Sequence, residues 1–117
     1  MIKKVFVIAT GNVDSQGDIL LPSSLKMPET GTLKVLDHFD AAKKPLGLIT
    51  EIKQVGNEVV ATGMFYDDPS GLTPAIGFQV IKSHENAHGG RTFDEIKLMC
   101  VGLTPAPNSD SLIKPIE

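Results

Sequence analysis

The chain has 117 residues, a net charge of −3 and one cysteine, Cys100. That length fits one domain with a modest core, which buries roughly two-thirds of its unfolded surface. The charge gives no electrostatic reason to expect a nucleic-acid partner, the single thiol excludes an internal disulfide or a cysteine zinc cluster, and no apolar run approaches the ~20 residues of a membrane-spanning helix.

Met1 to Ala9 begins like a signal peptide, but its apolar run is short and leads into Gly11-Asn12-Val13-Asp14 rather than a cleavage site. It reads as a first strand, β-branched and aromatic over Val5 to Ala9, of a protein expected in the cytosol when made. Thr10 to Asp18 is polar and glycine-containing, hence a loop. Ile19-Leu20-Leu21 is a short apolar run halted by Pro22, and residues 22–32 read as irregular. Leu33 to Phe39 suits neither period cleanly and is assigned to a strand, followed by a turn over Asp40 to Pro45.

Leu46 to Val55 and Glu58 to Tyr66 are the clearest strands. Only Gly56-Asn57 separates them, a two-residue signal for a tight hairpin. Asp67 to Gly71 is a breaker cluster. Ala75 to Lys82 reads as a strand, Ser83 to Arg91 as a polar excursion, and Phe93 to Thr104 as a last strand ended by Pro105-Ala106-Pro107. Six or seven short strands with hardly a helical period predict a mainly β protein, a small antiparallel barrel or sandwich with little helix.

Several residues invite chemistry. His84-Glu85-Asn86-Ala87-His88 fits the H-E-x-x-H pattern of zinc hydrolases, in which a helix puts both imidazoles on one face. Gly89-Gly90 follow at once, where that helix would have to continue, and only Asp94 or Glu95 offers itself as a third ligand. The run is therefore read as a hairpin loop, and no metal or cofactor is expected. Cys100 lies in an apolar strand, where a free thiol behaves as a small hydrophobe. Lys43-Lys44 reads as a solvated turn and Asp67-Asp68 as a polar one. His38 stands at the end of an apolar run before a turn, where a lone histidine is most often structural.

Three stretches, in order, resemble the prohead (capsid-maturation) proteases of tailed bacteriophages: Gln16-Gly17-Asp18-Ile19-Leu20-Leu21-Pro22; Val35-Leu36-Asp37-His38 with Pro45-Leu46-Gly47; and Ala75-Ile76-Gly77-Phe78 followed by Leu98 to Asn108. The resemblance covers most of the chain and implies a compact barrel-like domain related to the herpesvirus assembly protease. It aligns His38 with the family's catalytic base and Ala75 with its nucleophilic serine. The family's closing Leu-x-Glu-x-Ser reads Leu98-Met99-Cys100-Val101-Gly102, so its Glu and Ser are replaced too. A helix usual before the serine strand has only residues 67–74 in its place.

A methyl group cannot attack a carbonyl, and catalysis by nucleophile, base and orienting group is lost when the nucleophile goes. The resemblance thus implies a protease fold without its chemistry: a non-enzymatic decoration (cement) protein on the virion's capsid surface, binding the major capsid protein. It would act as a homo-oligomer, with a trimer as the candidate assembly. The enzymatic alternative is a divergent maturation protease using Cys100 or Ser83 with a histidine. A third reading is zinc binding through His84, Glu85 and His88.

Overall fold

The computed structural model describes residues 1–105. They form seven strands: β1 (Ile2–Thr10), β2 (Ile19–Leu20), β3 (Leu33–Asp37), β4 (Gly47–Val55), β5 (Glu58–Phe65), β6 (Thr73–Glu85) and β7 (Arg91–Thr104). Among the described residues helix is confined to one 3-10 turn, Pro22–Ser24. The protein is mainly β, as its sequence predicts.

The strands make one curled sheet, a half-barrel in the order β1-β5-β4-β3-β7-β2, with β6 on the other side of β7. Most pairings are antiparallel. The exceptions are β2 and β3, which run parallel to β7 and pair with successive parts of its edge. The sheet is thus mainly antiparallel, as expected, with two short parallel pairings. The sheet's two ends, β1 and β6, approach each other without pairing.

The β4–β5 hairpin turns at Gly56-Asn57 as predicted, with Val55 opposite Glu58. Gly56 has φ 60° and Asn57 is not in the left-handed region, the pattern of a II′ turn with glycine first. Along β5 every second residue is buried (Val59, Ala61, Gly63 and Phe65), so the alternation of side chains sets the inner face. That face meets Phe6, Ile8, Leu33, Val35, Ile49, Leu98, Val101 and Leu103 in a single core. A bulge between Val7 and Ala9 turns the consecutive residues Ile8 and Ala9 both inward.

The last hairpin is longer than its sequence indicates. β6 begins at Thr73 and continues to Glu85, and β7 begins at Arg91, so the loop is reduced to residues 86–90. Ser83 pairs with Phe93, His84 with Thr92 and Glu85 with Arg91. Asn86 N donates to Gly90 O (3.0 Å), and Asn86 Oδ1 accepts from His88 N (2.8 Å), closing the loop locally. Loop 10–18 docks on this tip: Asn86 Nδ2 donates to Gly17 O (2.9 Å) and Arg91 N to Asp18 Oδ1 (2.9 Å). At the opposite end, β3 stops at Asp37 instead of running to Phe39. The chain there folds into a turn closed by Asp40 N donating to Asp37 O (2.9 Å).

Candidate functional site

Ala75 lies in β6 opposite Gly102 of β7, and Gly102 is opposite Leu36 of β3, so the three form one row across three strands. Two pairings further along, Gly77 faces Cys100. Ala75, Gly77, Cys100 and Gly102 thus share a face of the β6–β7 ladder, and two of the four have no side chain. This brings together three of the aligned positions, Ala75, Cys100 and Gly102. His38 enters by another route, in the turn after β3, its backbone N–H donating to Leu103 O (3.1 Å).

That turn has an unusual backbone. His38 (φ 50°) and Phe39 (φ 59°) are consecutive non-glycine residues in the left-handed region. With the Asp37–Asp40 hydrogen bond around them, they take the central positions of a type I′ turn, which ordinarily select Asn-Gly. The consequence is a placement that strand extrapolation misses. The Phe39 ring, not the His38 ring, is laid on the small-residue face. A Cβ built on Gly102 would collide with the Phe39 ring, and one on Gly77 would stand 2.7 Å from Cys100 Sγ and 3.3 Å from Phe39 Cε1.

The His38 side chain is exposed, and its Nδ1 is hydrogen-bonded to Asp37, whose other carboxylate oxygen accepts from Lys43 Nζ (3.3 Å). The bond to His38, then that to Lys43, hold the Asp37 carboxyl below the usual carboxylate range. Lys43, read as a plain solvated turn residue, therefore has an ionic partner.

Ala75 and Phe39 both line a cleft of about 500 Å³ between the unpaired ends of the sheet. Its floor is apolar, with Ile8, Ile76, Phe78 and Phe93, and Asp14 and Asp18 stand at its rim. Both carboxylates already accept hydrogen bonds: Asp14 Oδ1 from the backbone N–H of Gln16 and Asp18, and Asp18 Oδ1 from Arg91.

The other candidates fall apart from this centre. Ser83 is eight residues along β6 from Ala75, a distance of roughly 26 Å in extended chain. It neighbours His84 in the strand, so the two side chains take opposite faces. His84 lies on β6 rather than in a loop, a correction to its predicted place, and its Nδ1 is bonded to Asp94 Oδ2 (2.7 Å). Glu85 is also on the strand, while His88 is in the 86–90 loop. No helix carries the H-E-x-x-H run. Among the described residues no three His, Cys, Asp or Glu side chains are grouped to hold a metal ion. Burial pushes the Cys100 thiol up from its ordinary value, with a smaller opposing effect from the Gly77 backbone. The residues 106–108 that complete the last stretch of the resemblance lie outside the described residues.

Phe39 is the residue that sequence reasoning passed over. Its signal was indirect: Ala75-x-Gly77 and Cys100-x-Gly102 place small residues at every second position of two strands, which marks a face left open for something else to lie on.

No protein-family model matches the chain, and neither does any curated protein or solved structure.

Proposed function

We propose that this protein is a non-enzymatic capsid-binding protein: a prohead-protease-like barrel that has lost its cleavage chemistry and decorates the shell of a tailed bacteriophage. The observation that carries the reading is the row Leu36–Gly102–Ala75, with the Phe39 ring laid over Gly102 and the neighbouring Gly77. Where the resemblance puts a nucleophile and a second serine stand a methyl group and a glycine. The space beside them is filled by a phenyl ring. His38 is adjacent in sequence, its Nδ1 engaged by Asp37.

The mainly β half-barrel supports the resemblance at the level of architecture, and role is a further step made from the missing chemistry. The partner is the major capsid protein and the location is the virion surface. A protein this small buries a limited interface per copy, so firm attachment comes from many copies or from self-association, with a trimer as the candidate oligomer. For a maturation protease built on Cys100, the half-buried thiol with its raised pKa is the wrong starting state, because the thiolate is the nucleophile.

Incubating the purified protein with unprocessed capsid precursor tests the loss of chemistry. The expected result is intact precursor and intact protein; specific cleavage of either by the wild type overturns the reading.

A further inference from the structure

The curled sheet has an outer face as well as a core face. Side chains alternate along a strand, so Val5, Val7, Val60 and Met64 point away from the buried Phe6, Ala61 and Phe65. Leu48, Glu51, Lys53 and Val55 join them through the β4–β5 register. The solvent face of an antiparallel sheet is ordinarily polar, yet here Val5 is 47% and Val55 51% exposed, and Val7, Leu48, Val60 and Met64 are only half-buried. Among the described residues no second sheet is present to cover this face, and helix is confined to Pro22–Ser24.

Four rows cross these strands in order: Lys3–Met64–Leu48, Val5–Thr62–Glu51, Val7–Val60–Lys53 and Thr10–Glu58–Val55. We propose that this face is a self-association surface whose occupant is a second copy of the chain, packed sheet on sheet about a two-fold axis. The axis runs across the strands between the second and third rows and exchanges them. It lays Val5 on Val7 of the second copy, Leu48 on its Val55 and Glu51 on its Lys53, and it brings Lys3 one strand away from its Glu58. Every contact occurs twice. Sheets stacked about 10 Å apart let Glu and Lys side chains meet across the gap. Among the described residues none of Lys3, Glu51, Lys53 and Glu58 has an ionic partner within the chain, so each charge is available to the second copy. The face is convex and three strands wide, which makes the contact a small and reversible one of under about 1,200 Å². A two-fold contact closes at two copies, so it makes a dimer in place of the trimer considered above. The inference goes beyond capsid binding and does not depend on it.

A charge swap tests the axis. Sedimentation velocity of the full chain over a concentration series is expected to pass from monomer to dimer. Glu51→Lys and Lys53→Glu each set like charges against each other twice, and each raises the dimer dissociation constant by about tenfold. The double variant Glu51→Lys/Lys53→Glu restores opposite charges and returns the constant toward the wild-type value. All the substituted side chains are exposed, and circular dichroism confirms the fold. If a single variant does not fold, Lys3→Glu with and without Glu58→Lys reads the same axis from the other charge pair. A monomer at every concentration, a trimer, or a double variant as weak as the single ones overturns the proposal. So does a wild-type monomer whose binding to capsid shells falls in the single variants, because that assigns the face to the capsid protein. Dimerisation without shell binding leaves the proposal standing and counts only against the capsid reading.

Discussion

Ala75 and Gly102 face each other across the β6–β7 ladder, and neither presents a group that attacks or polarises a carbonyl. The β6–β7 pairing runs unbroken through both positions, so on the proposed reading the chemistry would have been lost from side chains and not through a collapsed framework. That reading predicts that Ala75→Ser gains no protease activity. The new hydroxyl would stand opposite Gly102, beside a face occupied by Phe39 and Cys100. Incubation of Ala75→Ser with unprocessed capsid precursor is expected to yield no more product than the wild type. Cleavage gained from that one substitution would mean that a working base already serves position 75.

The β4–β5 turn makes a cleaner test of conformation alone. Gly56 has φ 60° and nothing lies within 4 Å of a Cβ built there, so Gly56→Ala introduces no clash. The left-handed backbone alone costs about 1 kcal/mol, and Tm falls by several degrees on thermal unfolding. An unchanged Tm would mean that the turn relaxes to another type.

Much of this architecture was legible in the sequence, for a local reason. Gly56-Asn57 and the alternation of Val59, Ala61, Gly63 and Phe65 specify a hairpin within twenty residues of chain. What escaped was non-local or broke a local rule. The parallel pairing of β3 with β7 joins Val35 to Val101, and no short-range pattern encodes it. The extra length of β6 and β7 is hidden because Ser83, His84 and Glu85 are polar residues on a strand whose exposed part has no core to declare. The His38–Phe39 turn occupies I′ positions with residues that avoid them, so strand propensity carried the expected β3 two residues too far. The Phe39 ring over Gly77 and Gly102 escaped for the same reason, since it depends on that turn and not on a local pattern.

In the core, Phe65 is fully buried and stacks at a tilt on Phe6, with centroids 6.0 Å apart. Phe65→Ala is expected to cost about 3–5 kcal/mol, a large share of the stability of a small domain, and to shift the urea midpoint sharply downward. A shift of under about 1 kcal/mol would mean that the sheet recloses over the cavity.

Acid should weaken the contact between the β5–β6 loop and β1. Lys4 is 5% exposed, and its ammonium lies 3.4 Å from Asp68 Oδ1. The Asp68 carboxyl is held below its ordinary value chiefly by the Ser70 hydroxyl and backbone N–H, with Lys4 adding a smaller effect. A carboxyl whose folded pKa is depressed contributes stability above its unfolded value, and loses it as pH falls through the folded one. Asp37 behaves likewise through His38 and Lys43. Urea midpoints should therefore be flat near neutrality and fall below about pH 4, with a shallower fall in Asp68→Asn. Identical profiles for the two proteins would remove the assigned role of Asp68.

The central claim is that the chain binds a capsid shell without cutting it, and sedimentation of the wild-type protein with assembled shells tests it most directly. The account predicts saturable co-sedimentation with mature shells, at a stoichiometry fixed by the lattice, and with the capsid protein unchanged in length. Protein that stays in the supernatant at every shell concentration, or that sediments while shortening the capsid protein, would contradict it.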